Sequence, residues 1–531
     1  MSRHRHDAIV IGAGHNGLVT AAYLARAGLD TVLLERRDSV GGCASTVPAL
    51  GGRVNICNCD HLWIRATPIA EELELERHGL GYLELDPSYL ALGWAEEQPW
   101  LHYHDLEQTL EGLAATHPGS VDGYRRHVRE LMPLARLVRE VTNGVPTPAR
   151  VGRLAAPHPR ASGRLLRLAR RSAVDVLRRY FDDEELIRPA LTVGPVVWGV
   201  DPSWPGTGLA ALAYVSKHLI PVGRPAGGSG ALTDAIHSAF TAAGGVTRLG
   251  STVVAAEPGP DGSHRISLAD GTDLSAERVV MSADPRAMHG WSSDRLSWLA
   301  ADEAEPEGYE SKVDAFLTEP PRYRALDRLP HPEDAAHATV LVSPTLDELG
   351  RAHRALQRGE LSPHLSLITN TPSTLDPSLQ DAEGNHLLSL EVLWTPFSGA
   401  DWTDDVVPQG WIQRWSGLIE QPLEAIWDRH RTMTPDRYAG EFSMIQGHAP
   451  SFAGTPWSAV RGRPRHLTRY RTPVEGLYLG GAATYPGAGI WGAPGRNAAS
   501  VVLRDASVRR RARWSGRFPS PRPGARSTRG S

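Results

Sequence analysis

Apolar and polar positions follow two clear periods near the start of the chain. Asp7–Ile11 and Thr31–Leu34 are apolar runs of strand length. Between them, small and apolar residues from Leu18 to Ala25 recur at helical spacing, and Gly28 suits a helix end. The pattern predicts a strand, a helix and a second strand.

The same periods predict elements along the rest of the chain. Helices are expected over Thr67–Arg77, Asp105–Ala115, Ser120–Val141, Arg164–Tyr180, Trp411–Ile426 and Arg496–Leu503. Strands are expected over Gly250–Ala256, His264–Leu268, Ala276–Ala283, Glu310–Leu317, Thr339–Ser343, Leu365–Thr369, His386–Leu393 and Leu477–Leu479. Pro133 is expected to kink or break its helix, and residues 142–164 are expected to form a loop or lid.

A glycine motif, Gly12-Ala13-Gly14-His15-Asn16-Gly17, joins the first strand to the first helix. Gly12 permits a tight turn, Gly14 lets the backbone approach a pyrophosphate, and Gly17 lets the helix pack on the strand. The pyrophosphate would lie at the helix N-terminus, whose dipole favours an anion. The motif predicts a dinucleotide site.

An acidic residue, Glu35, ends the second strand and can accept hydrogen bonds from a ribose diol. Its carboxylate would repel a 2′-phosphate and so disfavours NADP, although Arg36 and Arg37 weaken that argument. The motif alone does not distinguish NAD from FAD.

Composition narrows the functional class. A formal net charge of −4 gives no basic field for nucleic acid. Three cysteines exclude a disulfide framework and fit a reducing compartment. A first strand near residue 7 leaves no room for a signal peptide, and no apolar run reaches the length of a membrane span. A cytoplasmic enzyme is expected.

Residues 164–180 have the pattern of a basic amphipathic helix. The charged face of such a helix either contacts a membrane surface or faces solvent, and the second case is the commoner one. A peripheral membrane contact through these residues is therefore the lesser alternative.

Three further segments carry a family resemblance. They are the run ERRDSVGGCAS after the second strand, the segment from PAGGSGAL at 225–232 to AERVVMSA at 276–283, and GLYLGGAATYPGAGIWGAPGRNAA at 476–499. Their order resembles the phytoene desaturase-like flavoproteins of the amine oxidase superfamily. The G-R-N-A-A run is most similar to the branch of the pyridine nucleotide-disulfide oxidoreductase domain 2 proteins.

The resemblance implies an α/β fold in which a Rossmann-type FAD-binding domain (GR2-like) carries an inserted α+β substrate domain. It implies FAD-binding segments at 1–75, 220–300 and 461–505, substrate segments at 76–219 and 301–460, and a disordered basic tail at 506–531. The cofactor residues it implies, together with the motif, are Gly12, Ala13, Gly14, His15, Asn16, Gly17, Glu35, Arg36, Gly41, Gly42, Cys43, Ala44, Val253, Ser282, Gly481, Ala482, Gly489, Ile490 and Trp491.

The same resemblance implies hydride transfer between a substrate carbon and the flavin. Tryptophan-rich insertions suit an extended apolar substrate, such as a polyene, or ordinary core packing. Candidate catalytic residues are Lys312, which matches a lysine of the amine-oxidising relatives loosely, His61 and Tyr485. No metal motif stands out.

Three alternatives stay open: an amine or amino-acid oxidase, a non-redox isomerase or cyclase that uses reduced FAD, and a flavin-binding protein without activity. Cys43 and Ala44 stand where amine oxidases usually carry Arg, and Ala482 stands at a position that is often acidic in them. These departures count against an amine oxidase.

Overall fold

The computed structural model describes residues 5–57, 59–259, 262–288, 291, 310–402, 406–448, 451–452 and 454–506. The predicted tail therefore lies almost entirely outside the described residues. In chain order the strands are β1 Arg5–His6, β2 Ala8–Ile11, β3 Thr31–Leu34, β4 Thr46–Ala49, β5 Gly52–Asn55, β6 Tyr82–Glu84, β7 Tyr89–Gly93, β8 Trp100–His102, β9 Gly223–Pro225, β10 Val246–Arg248, β11 Val253–Pro258, β12 His264–Leu268, β13 Asp273–Ala276, β14 Val279–Met281, β15 Glu310–Leu317, β16 Thr339–Ser343, β17 Leu367–Asn370, β18 His386–Leu393, β19 Trp427–Met433 and β20 Leu477–Leu479.

The α-helices are numbered in the same way. They are α1 His15–Arg26, α2 Ile69–Glu72, α3 Leu106–Thr116, α4 Val121–Thr142, α5 Pro148–Ala155, α6 Pro159–Leu168, α7 Ala173–Leu177, α8 Arg188–Thr192, α9 Ala213–Leu219, α10 Gly230–Ala242, α11 Leu346–Gln357, α12 Val406–Ser416, α13 Leu423–Ile426, α14 Pro435–Phe442, α15 Pro456–Arg461, α16 Arg465–Arg469 and α17 Ala493–Asp505.

A parallel sheet in the order β10-β3-β2-β14-β20 forms the first layer. Its strands come from three distant parts of the chain, and all but the exposed edge strand β10 are apolar on both faces. One face packs on α1, α10 and α17. The other face packs on a smaller sheet in the order β1-β13-β12-β11. Burial on both faces explains the continuous apolar runs, which are typical of parallel sheets.

A second large sheet runs β19-β15-β18-β17-β16-β7-β8 and is antiparallel except for the β16–β7 pair. One face is apolar and packs on α12, whose Trp411 and Trp415 are buried there. The other face is polar where the β4–β5 hairpin approaches β15, and it becomes apolar towards α4. This polar part belongs to the candidate site.

Several helix predictions were wrong in detail. Helix α4 continues through Pro133. Much of 142–164 is helical rather than a loop, because α5 and α6 lie within or overlap it. The helix predicted over 164–180 is two helices: α6 ends at Leu168, and Ser172 caps α7 by accepting a hydrogen bond from the backbone N–H of Asp175.

Other elements are shorter than predicted. The helix expected over 67–77 is interrupted at Glu74, which is left-handed with φ 54°. The helix expected over 411–426 ends at Ser416 and resumes as α13 after Pro422. Residues 276–283 are not one strand, since β13 ends at Ala276 in the small sheet and β14 begins at Val279 in the parallel sheet. Among the described residues, no helix is both long and apolar enough to cross a bilayer.

Candidate active site

A glycine-lined cradle surrounds the N-terminus of α1. We use the name glycine cradle for the backbone of residues 12–17, 41–42, 282–283 and 480–481. Gly14 forms a bridge with Gly41, and the N–H of Gly41 donates to Ala13 O at 2.8 Å. The N–H of Ser282 donates to Ile11 O at 2.9 Å. The last of these bonds joins two segments that lie more than two hundred residues apart in the sequence.

Close backbone approach explains the glycines. A Cβ at Gly17 would lie 1.9 Å from Gly12 O, and a Cβ at Gly481 would lie 2.3 Å from Ser282 O. Gly12 has φ 96°, a left-handed conformation, and a Cβ there would lie 3.0 Å from the nitrogen of Ala283. Side chains at these positions would force the segments apart.

Gly14 differs from these neighbours because a Cβ there would meet nothing within 4 Å. It is the N-cap of α1, with no side-chain capping bond and no acidic residue in the first turn. The first N–H groups of a helix have no partner within the helix, and at α1 neither a capping side chain nor an acidic residue competes with a phosphate anion for them. The cradle fits the pyrophosphate of a dinucleotide.

Glu35 lies where a ribose would follow the pyrophosphate. Its carboxylate accepts hydrogen bonds from Ala13 N at 2.7 Å and Arg37 N at 3.0 Å, which fix its orientation. Its backbone carbonyl accepts from Ser251 N, two residues before Val253, which the resemblance places at the cofactor. Arg36 points elsewhere, since its guanidinium donates to the carbonyls of Gly440 and Glu441.

The C-terminal glycine segment reaches α1 from the other side. Gly489 has φ 103°, and a Cβ there would lie 3.6 Å from Trp63 and 3.7 Å from Trp198. Trp491 stacks on Trp63 with ring centroids 4.9 Å apart. Ile490 packs against the core around α1, and Ala482 is half-buried.

His15 links the cradle to this aromatic group. Burial lowers the pKa of His15 to about 4. A hydrogen bond with the backbone of Gly489 acts in the opposite direction but is the weaker effect. Its Nε2 and the indole N–H of Trp491 are buried without a hydrogen-bond partner among the described residues. Unpaired buried groups of this kind indicate that a polar ligand or water belongs here.

A set of buried polar residues lies on one face of the seven-stranded sheet. We call it the polar sheet face: Glu310, Lys312, Asp314, Asn370, Ser389 and Glu391. The register pairs Lys312 with Glu391 and Asp314 with Ser389. Ser389 is in turn paired with Asn370. Alternate residues of a strand share a face, so all six point to the same side.

Lys312 is the fixed centre of this face. Its side chain is fully buried, its ammonium donates to Asn55 O, and it lies 2.8 Å from Asp314. Asp314 also pairs with Arg431 at 2.9 Å. The lysine predicted from sequence is thus a buried ion-pair residue, and its expected role in catalysis stays a prediction.

Two carboxyls beside Lys312 have perturbed acidity. Burial raises the pKa of Glu310 to about 7, although the charge of Lys312 opposes the rise. Burial and the nearby Glu310 raise the pKa of Glu391 well above its usual value. Within the described chain, Glu391 Oε1, Ser389 Oγ and both polar atoms of the Asn370 amide lack hydrogen-bond partners. This face can therefore hold and exchange protons near neutral pH.

Two thiols connect the polar sheet face to the cradle. Cys43 follows Gly41–Gly42, and its sulfur lies 3.4 Å from Met444 Sδ. A hydrogen bond with Cys43 raises the pKa of Cys57, and burial and the charges of Glu310 and Glu391 raise it further. Ala44 beside Cys43 is buried. The polar sheet face is thus adjacent to the segment predicted to pass the cofactor.

The other two catalytic candidates have different neighbours. His61 is buried, and its ring nitrogens bond Tyr82 OH at 3.0 Å and Ser229 Oγ at 2.9 Å. Burial lowers its pKa to about 3, so the ring is neutral at ordinary pH. Tyr485 packs edge-on against Phe452, and burial raises its phenol pKa. These neighbours lie outside the polar sheet face, and both catalytic assignments stay predictions.

Glu310, Glu391, Asn370 and Ser389 are site residues that the sequence pattern did not single out. The signal was present, because Glu310, Lys312 and Asp314 alternate at the period of a strand, as Ser389 and Glu391 do. Ionisable residues on one face of an otherwise apolar strand indicate a buried polar site or an exposed face. Only the register of the sheet separates those two cases.

Comparison with known proteins identifies a matching domain family and several relatives of this chain. A model of the NAD(P)-binding Rossmann-like domain matches residues 10–70. Pyridine nucleotide-disulfide oxidoreductase domain-containing protein 2 of Rattus norvegicus is 27% identical, over 94% of each chain. Phytoene desaturase (lycopene-forming) of a Paracoccus species is 26% identical over 94% of this chain and 97% of its own length. A limonene dehydrogenase chain of Castellaniella defragrans is 25% identical over 94% of each.

Proteins of known structure share this fold. Cyclohexylamine oxidase from Brevibacterium oxydans superimposes with a TM-score of 0.58 over 96% of this chain and all of its own, at 16% identity. Putrescine oxidase gives a TM-score of 0.58 over 95% of this chain and 98% of its own, also at 16% identity. Over 94% of its length the chain is a homologue of oxidoreductases named pyridine nucleotide-disulfide oxidoreductase domain-containing protein 2 and phytoene desaturase, with a Rossmann dinucleotide domain and an amine oxidase-like fold.

Proposed function

We propose that this protein is an FAD-dependent oxidoreductase that dehydrogenates an organic substrate. The observation that carries the proposal is the glycine cradle, which is built from distant segments and in which, of its glycines, Gly14 alone has no atom within 4 Å of an added Cβ. FAD, when bound, supplies a hydride acceptor. The resemblance of the C-terminal glycine segment to flavoproteins favours FAD over NAD.

The chain's own residues would hold the cofactor in three places. The N-terminus of α1 would bind the pyrophosphate through backbone N–H groups. Glu35 would accept the ribose hydroxyls with the lone pairs that its bonds to Ala13 and Arg37 leave free. Gly489 and its tryptophan neighbours would border the ring system.

Dehydrogenation removes a proton as well as a hydride, so a proton acceptor is useful. Glu310 is our candidate, because its pKa of about 7 lets it exchange a proton near neutrality. Lys312 would act as a positioning residue: its bond to Asn55 O and its ion pair with Asp314 hold the sheet face in place.

The substrate that we propose has an extended apolar part. The stacked Trp63 and Trp491, with Trp198 beside them, offer aromatic surface next to the C-terminal glycine segment. The phytoene desaturase and limonene dehydrogenase relatives act, by their names, on hydrocarbons. A polyene or a related secondary metabolite is therefore the proposed class.

Amine oxidation is the second candidate, favoured by one observation. The polar sheet face carries three carboxyls, of Glu310, Asp314 and Glu391, against the cations of Lys312 and Arg431. A protonated amine bound beside these carboxyls would stabilise their ionised forms, which burial disfavours at Glu310 and Glu391. The fold is shared with putrescine oxidase and cyclohexylamine oxidase.

Anaerobic mixing of the FAD-loaded protein with single substrates separates the two. We expect polyenes and cyclic hydrocarbons to bleach the flavin absorbance, and simple amines to leave it unchanged. Bleaching by amines, followed by peroxide release on admitting air, would instead establish amine oxidation. Glu310→Gln should slow bleaching without changing FAD content, whereas Glu424→Gln, which alters an exposed acid, should do neither.

A further inference from the structure

Lys217 is a half-buried cation without a counter-ion of its own. It lies near the end of α9, and its ammonium is 5.3 Å from the centre of the Tyr89 ring on β7. Within the described part of the chain, this ammonium donates no hydrogen bond and has no acidic partner at ion-pair distance. Burial lowers the pKa of Lys217 to about 8, although the charge of Asp60 opposes the fall. The lysine is therefore mainly protonated at neutral pH, and a charge withdrawn from water needs a counter-charge.

A second cation, Arg224, lies over the neighbouring strand. Its guanidinium donates to Asp60 at 2.7 Å and to Thr339 Oγ1 at 3.0 Å. Its Nη1 is buried and has no hydrogen-bond partner among the described residues. Strands β7 and β16 pair Tyr89 with Thr339, and paired residues point to the same side of a sheet. The two cations therefore lie over adjacent positions of one sheet face.

The two cations exceed the nearby acid by one charge. Asp60 is the carboxylate that interacts with both Lys217 and Arg224. Two histidines beside Lys217 are uncharged at neutral pH, because burial lowers the pKa of His102 well below its usual value and also lowers that of His218. Two cations and one anion leave a formal charge of +1, which a single carboxylate would balance.

The apolar surface that we propose for the substrate adjoins the same helix. We call Trp63, Trp198 and Trp491 the tryptophan cluster. Leu219, two residues after Lys217, packs in one apolar group with Trp198 and in another with Trp63. Trp63 in turn stacks on Trp491. Helix α9 thus connects the unpaired cation with the tryptophan cluster.

We propose that Lys217, in the positive field of Arg224, binds the carboxylate of a long-chain apolar acid whose carbon chain lies on the tryptophan cluster. This inference rests on the proposed function, because that function assigns the tryptophans to the substrate. It narrows the substrate from any extended apolar molecule to one with an acidic end. A neutral polyene would leave Lys217 without a counter-ion, and a doubly charged phosphate ester would exceed the charge available.

Fluorescence titration with trans-parinaric acid tests the inference on the protein as purified, without turnover. This acid has a long conjugated chain, and its methyl ester has the same chain without the charge. We expect the wild type to bind the acid at least about tenfold more tightly than the ester, since a hydrogen bond between charged groups contributes at least that much. Lys217→Met and Lys217→Gln should bind the acid and the ester equally.

Arg328→Met is the matched control, because it removes one positive charge from an exposed position and should keep the preference for the acid. Equal binding of acid and ester by the wild type would overturn the inference, as would a preference that persists in both folded Lys217 variants. The proposed function fails in a different way. If the acid is preferred but no polyene bleaches the flavin, the carboxylate site stands and the oxidoreductase assignment does not.

Discussion

The glycine cradle and the polar sheet face lie side by side but are built by opposite means. The cradle is made of backbone, and most of its glycines answer a local packing requirement such as the 1.9 Å approach at Gly17. The polar sheet face is made of side chains from three strands, and its chemistry exists only when β15, β18 and β17 pair in register. The first tolerates almost no added atom, whereas the second depends on charges that must balance.

Breaking the charge balance should have the largest effect. In Lys312→Met, Asp314 would keep only Arg431 as a cationic partner, and Glu391 would lose the lysine opposite it on the neighbouring strand. Removing one member of a buried ion pair costs about 3–5 kcal/mol. We expect that loss in the free energy of unfolding, measured by urea denaturation.

Lys217, the chain's other lysine, provides the control. Its ammonium lies 5.3 Å from the centre of the Tyr89 ring, and burial lowers its pKa to about 8. Lys217→Met should cost only about 1 kcal/mol, the scale of a cation–π contact. Equal losses in the two variants would mean that Lys312 is not the centre of a balanced ion cluster.

Crowding the cradle should have the next largest effect. In Gly17→Ala the new methyl group would meet Gly12 O, so that backbone must shift. Overpacking of this kind costs about 1–3 kcal/mol. Thermal unfolding of the cofactor-free protein measures it, with Gly112→Ala, where a Cβ meets nothing, as a control that should not be destabilised. An unchanged melting temperature for Gly17→Ala would contradict the packing described.

The acidity of Glu310 should appear as a pH dependence of stability. Its pKa of about 7 in the folded state is above the usual value of 4.5, so the stability it contributes is full below pH 4.5 and is lost as the pH rises through 7. Between pH 5 and pH 8 the wild type should therefore lose about 2 kcal/mol relative to Glu310→Gln. Parallel pH profiles of the two proteins would contradict the raised pKa.

The smallest effect on stability is expected at Gly14. The backbone there (φ −65°, ψ 167°) suits any residue, and a Cβ would enter open space. Gly14→Ala should change the free energy of unfolding by less than about 1 kcal/mol and yet weaken FAD binding, because the methyl group would stand where the pyrophosphate approaches. Fluorescence titration with FAD measures the second effect. Normal FAD affinity in this variant would remove Gly14 from the site.

The sequence was informative where structure depends on local residue type. The strands Thr31–Leu34, Glu310–Leu317 and Leu477–Leu479 were predicted with the bounds that the structure gives. The first and last are short apolar runs, and the middle one alternates polar and apolar residues over most of its length. The α/β fold with a Rossmann dinucleotide domain is confirmed by the parallel sheet and by the relatives. The domain boundaries and the individual cofactor residues stay predictions.

Long-range pairing could not be predicted. The break at Glu74 and the continuity of α4 through Pro133 depend on tertiary packing that overrides propensity. The pairing of Lys312 with Glu391 requires knowledge of which strands are neighbours. The contact between α5 and α15, likewise, joins two distant segments whose proximity no pattern in the chain records.

The central claim is that the glycine cradle holds FAD. The most direct measurement is the absorbance spectrum of the protein as purified, followed by chromatography of the cofactor released on denaturation. We expect a flavin spectrum and one FAD per chain in the wild type, and a lower flavin content in Gly14→Ala. A folded wild-type protein that contains no flavin and takes up none when FAD is added would contradict it.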